Sequence, residues 1–118
     1  VLVVEDEPAV RAVVTETLRE VGYETIEAVD GASGLRCLQS PQHIDLLLTD
    51  VGLPGGLNGR QLADAARTFR PDLKVLFMTG YVHDVDSGGV ALEPGMEIIT
   101  KPFTSDRLAA QVEAFIGI

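Results

Sequence analysis

The hydrophobic and polar positions of this chain switch period repeatedly, from solid apolar runs of strand length to stripes that recur every three or four residues. Val1, Leu2, Val3 and Val4 form an apolar run that stops at Glu5, Asp6, Glu7 and Pro8, so a first strand ends in a cluster of carboxylates. Pro8 suits the first turn of a helix. From there Val10, Val13, Val14, Thr17, Leu18 and Val21 recur at helical spacing, and Gly22 is placed to close the helix. Residues 24–28 alternate polar and apolar, which predicts a half-exposed strand at a lateral position in a sheet. Asp30 or Ser33 can cap a short helix that carries Ala32, Leu35 and Leu38 inward and ends at Pro41.

Residues 44–49 predict a third strand, buried on both faces because Leu46, Leu47 and Leu48 are consecutive. It delivers Asp50 at its carboxyl end into a turn rich in glycine and proline, through Gly52, Pro54, Gly55, Gly56 and Gly59. Leu62, Ala63, Ala66 and Phe69 then mark a third helix, stopped before Pro71. A fourth strand over residues 74–78 leads into Thr79, Gly80 and Tyr81. Residues 82–92, interrupted by Gly88 and Gly89, predict a short or mobile fourth helix. A fifth strand over residues 97–100 ends in Lys101, Pro102 and Phe103, and Thr104 or Ser105 caps a last helix with Leu108, Val112, Phe115 and Ile116 inward. Five strands alternating with five helices specify an α/β fold, a doubly wound sheet with helices on both faces. Ligands of such sheets bind beyond the carboxyl ends of the strands, where strand order reverses.

The 118 residues make one domain spanning 1–118, large enough to bury a core without disulfides. A formal net charge of -9 argues against direct contact with nucleic acid or an anionic membrane surface, both of which need clustered Lys and Arg. Cys37, the sole cysteine, is expected to pack as a small apolar residue and fits a reducing compartment. No window approaches the roughly 18 apolar residues of a spanning helix, and no signal peptide is recognisable, so a cytoplasmic location is expected. The chain begins on a strand without a Met, which suggests a fragment of a longer protein.

The strand ends place Glu5, Asp6, Asp50, Thr79 and Lys101 on one rim. Converging carboxylates repel one another, and a divalent cation relieves that repulsion. Oxygen ligands without His or Cys favour Mg²⁺, which keeps waters for a phosphate to replace. Asp50 could then attack a phosphoryl group, with the Thr79 hydroxyl and the Lys101 ammonium binding its oxygens opposite the metal. Each residue alone has a blander reading, as a helix-start acid, a turn former, a local hydrogen bonder or a surface charge. Their joint placement at four strand ends favours the functional one. His43 and His83 lack partners at ligand spacing and read as surface residues, while Tyr23 and Phe103 read as packing residues.

The segments VLVVEDEP, LLLTDVGLPGGLNG, VLFMTGY and TKPF, in that order and over essentially the whole chain, resemble the receiver domain of two-component response regulators. The LPGGLNG turn and the FMTGY segment are similar to receivers attached to bacterial hybrid histidine kinases. The resemblance implies a (βα)5 flavodoxin-like parallel sheet of strand order 2-1-3-4-5. It implies Asp50 as phosphoacceptor, Asp6 as a direct Mg²⁺ ligand, Glu5 acting mostly through metal-bound water, and the Gly52 backbone carbonyl as a further ligand; Mn²⁺ is an acceptable substitute. It also implies Thr79 as switch hydroxyl, Lys101 as phosphate-binding cation, and a cis Lys101–Pro102 peptide. The implied chemistry is phosphorylation from phosphohistidine of a histidine kinase or a histidine phosphotransfer domain, and self-dephosphorylation, rather than that of an ordinary enzyme. Dimerisation through the last helices is known in such domains.

Two departures stand out. Ile98 occupies the position that usually holds a Tyr or Phe, so output is expected through residues 82–92 instead. The turn after Asp50 carries one residue more than the commonest pattern, with Gly55 and Gly56 in it. Gly52 and Tyr81 occupy positions that tune dephosphorylation; without a side chain at Gly52 to orient water, a long-lived acyl phosphate is expected. Among rivals, a haloacid-dehalogenase-like phosphatase needs a second Asp where Gly52 stands. A flavodoxin-like cofactor binder needs a phosphate loop where Glu5, Asp6 and Glu7 would repel it. The remaining alternative is a degenerate receiver acting as a phosphorylation-independent binding module, against which Asp6, Asp50, Thr79 and Lys101 stand.

Overall fold

The computed structural model describes residues 1–80 and 92–117. Five parallel strands, β1 (Leu2–Val4), β2 (Ile26–Ala28), β3 (Leu46–Asp50), β4 (Lys74–Thr79) and β5 (Met96–Thr100), lie in the order β2-β1-β3-β4-β5. Four described helices connect or follow them: α1 (Pro8–Glu20), α2 (Gly31–Gln39), α3 (Gly59–Arg67) and α4 (Ser105–Ile116). The doubly wound α/β architecture agrees with the alternation of apolar runs and stripes, and the strand order is the one the resemblance implied. The helix expected over residues 82–92, together with Tyr81 and His83, lies outside the described residues apart from Leu92, which is exposed.

Alternate side chains of the central strands feed two separate apolar layers, as the period of a strand requires. Leu2, Val4, Leu47, Val75 and Phe77 meet Leu38, Leu62, Ala63 and Ala66 of α2 and α3. Val3, Leu46, Leu48, Leu76, Met78 and Ile99 meet Val14, Leu18, Leu108 and Val112 of α1 and α4. Leu46, Leu47 and Leu48 are fully buried, as consecutive apolar residues in a strand covered on both sides must be. Cys37 is half-buried against the first layer, and Tyr23 and Phe103 pack against the second.

The helix boundaries follow their caps. The main chain leaves α1 through Gly22 at φ +102°, a conformation that glycine adopts without strain. Asp30 and Ser33 do not compete for the start of α2 but share it: Ser33 N–H donates to Asp30 Oδ1 at 2.8 Å and Asp30 N–H to Ser33 Oγ at 3.3 Å. Asn58 and Gln61 repeat the arrangement on α3. Thr104, not Ser105, caps α4.

Three residues expected inward are not: Ala32, which is exposed at the start of α2 where Gly31 and Gly34 are buried instead, Val13 and Phe69. Val13 is 51% exposed; the buried stripe of α1 includes Thr17, as its spacing predicts, and takes in Thr15 in place of Val13, the Thr15 and Thr17 hydroxyls donating to the carbonyls of Arg11 and Val13 respectively. At about 100° per residue Val14, Thr15, Thr17 and Leu18 share one arc of the helix and Val13 falls outside it, and the threonines can be buried because each satisfies its hydroxyl within the helix. Phe69 is 43% exposed because α3 ends at Arg67. The chain tightens there, with Phe69 N–H donating to the Ala66 carbonyl at 3.2 Å, and Arg70 turns inward onto the carbonyls of Leu38, Ser40 and Gln42.

Candidate functional site

The carboxyl ends of β1, β3, β4 and β5 converge as parallel register requires, with Asp50 opposite Met78 and Thr79 opposite Thr100. Asp50 is the last residue of β3, and its neighbour Val51 extends the ladder by donating to the Met78 carbonyl at 3.0 Å. Glu5 follows β1 directly and its N–H donates to the Ala28 carbonyl at 3.1 Å. Carboxylate oxygens of Glu5, Asp6 and Asp50 lie within 4.8 Å of one another. Lys101, one residue past β5, sends its Nζ to Asp50 Oδ2 at 3.0 Å and to Glu5 Oε2 at 3.3 Å. Thr79, at the end of β4, is buried, and its carbonyl accepts from Lys101 N–H at 2.7 Å. The Lys101–Pro102 peptide is cis, as the resemblance implied.

Exposure is graded across the cluster. The Glu5 side chain is fully buried, Asp50 is 16% exposed and Lys101 25%, while Asp6 faces solvent. Burial pushes the Glu5 carboxyl above its ordinary range, with the Asp50 charge adding to that, while the Glu7 N–H at 3.2 Å and the Lys101 ammonium act in the opposite direction. Burial pulls the Lys101 ammonium down, but Asp50 and Glu5 outweigh it and hold the group above its ordinary 10.5. The result is an acidic cluster in which Lys101 is bonded to the Glu5 and Asp50 carboxylates while Asp6 lies open to solvent.

Among the described residues the donor set fits a hard divalent cation: three carboxylates, no sulfur and no imidazole. Gly52 lies two residues past Asp50 in an exposed turn, where an added Cβ would meet nothing within 4 Å. Ile98 is half-buried against the layer that holds Phe77 and Met96. His43 is on the surface, 2.7 Å from Asp45, as expected. A wide cavity of about 1060 Å³, lined by Tyr23, His43, Asp45, Asp72 and Lys74, contains none of the converging residues.

Two contributors escaped sequence reasoning. Gly59, at the start of α3, lies so close to the Asp50 carbonyl that a Cβ would collide with it, and its N–H donates to the Val51 carbonyl at 3.0 Å. Arg11 donates from Nη1 to the Glu5 carbonyl at 2.8 Å. Its only signal in the chain is that it is the first cation after three acids.

The family model for the response regulator receiver domain matches residues 1–113. The chain is 31% identical over 117 residues to the sensor kinase CckA of Brucella abortus, aligning 98% of this chain with 12% of that protein. It is 31% identical over 122 residues to the response regulator receiver protein CpdR of the same organism, covering 98% of this chain and 95% of that one. Among solved structures, the receiver domain of the hybrid histidine kinase CckA matches with a TM-score of 0.82 at 36% identity, covering 98% of this chain and 96% of that chain. The receiver domain of NtrX from Brucella abortus matches with a TM-score of 0.86 at 32% identity, over 98% of this chain and 96% of that chain. With the sheet order, the acidic cluster and these likenesses together, the chain belongs to the response regulator receiver domain family of two-component systems.

Proposed function

We propose that this domain accepts a phosphoryl group on Asp50 from the phosphohistidine of a histidine kinase or a histidine phosphotransfer domain, in a Mg²⁺-dependent step, and thereby switches a partner interaction. The observation that carries the reading is the Lys101 ammonium 3.0 Å from Asp50 Oδ2, on the rim where the Glu5, Asp6 and Asp50 carboxylates meet. An Asp50 oxygen attacks phosphorus as the P–N bond to imidazole breaks, leaving an acyl phosphate and a free imidazole. Glu5, Asp6, Asp50 and the Gly52 carbonyl would hold Mg²⁺, or Mn²⁺ in its place. The bound ion would neutralise charge gathering on the phosphoryl oxygens. Lys101 neutralises that charge from the other side, and the Thr79 hydroxyl follows the phosphoryl group as the switch element.

The exposed turn at Gly52 offers no side chain to orient an attacking water, which supports an acyl phosphate that persists well beyond seconds. The likeness to a hybrid kinase receiver supports a parent protein of that kind, with the domain on the cytoplasmic side and no direct contact with nucleic acid or insertion into membrane. Homodimerisation through the last helices belongs to the same reading. Incubation with a small acyl phosphate and Mg²⁺, followed by intact mass measurement, should add one phosphoryl group to the wild type and none to Asp50→Asn. An unmodified wild type would move the assignment to a phosphorylation-independent binding module.

A further inference from the structure

We infer that Arg11 is a positioning residue for the cation site, fixing the Glu5–Asp6–Glu7 loop in the shape that lets its carboxylates bind Mg²⁺ together with Asp50. The inference rests on the reading of that cluster as a Mg²⁺ site. Arg11 is 17% exposed and makes two contacts in different directions: Nη1 to the Glu5 carbonyl at 2.8 Å and Nε to Glu27 Oε1 at 3.2 Å. Its own N–H donates to the Glu7 carbonyl at 2.9 Å. Glu5 N–H meanwhile donates to Ala28 and Glu7 N–H to Glu5 Oε1. The acidic loop is thus tied on the β2 side by Ala28 and on the α1 side by Arg11. Asp6, exposed between these ties, is aimed by the backbone on either side of it.

A guanidinium suits this place because its planar fork can serve a carbonyl and a carboxylate at once, whereas an ammonium is a single point. Groups that orient metal ligands from behind commonly change affinity by about 10- to 100-fold when removed. A rival account makes Arg11 only a tie between α1 and β2 through Glu27. The two accounts separate at Glu27→Gln, which removes the charge of that tie and leaves the Glu5 carbonyl contact in place.

Mg²⁺ binding to the full chain is measured by titration calorimetry for wild type, R11Q, R11K and E27Q, with thermal midpoints taken without Mg²⁺. R11Q should weaken Mg²⁺ about 10-fold or more, R11K by less, and E27Q by under about 2-fold, although R11Q and E27Q both lower the midpoint. Mg²⁺ affinity unchanged in R11Q, or E27Q weakening it as much as R11Q, overturns the role. If R11Q does not fold, R11K decides alone: about 3-fold weaker binding or more supports the role and wild-type binding overturns it. A wild type that takes up no Mg²⁺ overturns the underlying reading of the site and this inference with it. A wild type that binds while R11Q binds equally well overturns only the inference.

Discussion

Carboxylates about 4 Å apart repel by about 1 to 4 kcal/mol per pair, depending on how much water screens them. Glu5, Asp6 and Asp50 are held within 4.8 Å of one another with Lys101 bonded to two of the three. Replacing Lys101 by Met keeps the stem but strands fully buried Glu5 and mostly buried Asp50 without their cation. Urea melts without Mg²⁺ should show a loss of about 1 to 3 kcal/mol, the worth of hydrogen bonds to charged groups, and added Mg²⁺ should recover most of it. On the proposed function, phosphoryl uptake should still fall by about 100-fold, because the removed ammonium would face the oxygens where charge develops. Gly59 makes a steric demand at the same place: a Cβ there would press on the Asp50 carbonyl oxygen, 3.0 Å from its carbon and 3.1 Å from Val51 Cα. Backbone cannot swing aside as a side chain can, so Gly59→Ala should cost about 1 to 3 kcal/mol in a denaturant melt and lower phosphoryl uptake. Asp6, Asp50, Thr79 and Lys101 were legible because each follows an apolar strand in the chain. Gly59 and Arg11 were not, since their contacts exist only once the chain has folded back on itself.

At the scale of elements, the described strands and helices were readable from period alone, and the errors came where a helix face was judged by composition. Val13, Ala32 and Phe69 are apolar but exposed, whereas Thr15 is polar but buried, because geometry and a local hydroxyl bond decided their faces. The caps of α2 and α4 were more legible, since side chains that can satisfy a free N–H are few, whereas the Asn58 cap of α3 was hidden in its glycine-rich turn. Asn58→Ala should cost about 0.5 to 2 kcal/mol by removing one half of the box on α3, measurable by thermal melting. Asp30 adds a pH dependence to α2. The Ser33 hydroxyl and N–H, with a smaller contribution from Arg36, hold its carboxyl below the ordinary 3.8. A depressed folded pKa means that the folded state binds the proton less readily than the unfolded chain. The contribution is therefore complete above pH 3.8 and is lost as pH falls through the folded value. Asp30→Asn keeps an acceptor without the charge, so its urea midpoint should vary less than the wild type's below that pH; equal slopes would show that the cap is not what titrates.

The molecule as a whole closes at the ends of the strands opposite the acidic cluster, where α4 must be held against both the sheet and α1. Lys74 Nζ donates to the Phe115 carbonyl at 2.8 Å and lies 5.6 Å from the Phe115 ring centre, while Tyr23 Oη donates to the Gly117 carbonyl at 2.7 Å. Both ties join residues far apart in the chain, which is why sequence reading saw Tyr23 only as a packing residue and Lys74 only as the start of a strand. Burial pushes the Tyr23 phenol above its ordinary 10.0, and the charge of Glu113 adds to the effect. The unfolded chain then loses the phenolic proton before the folded one does, so this group's contribution is complete below pH 10.0 and declines as pH rises through the folded value. Lys101 declines in stability over a neighbouring range, because its ammonium is also held above its ordinary 10.5, so the wild-type slope alone does not isolate the phenol. The difference between wild type and Tyr23→Phe does. Near neutral pH the variant should be less stable by about 0.5 to 1.5 kcal/mol, the net worth of one hydrogen bond. That gap should narrow in urea melts stepped upward from pH 10.0, since the wild type is losing what the variant never had. A gap that stays constant across those steps would mean that the phenol holds α4 by packing alone.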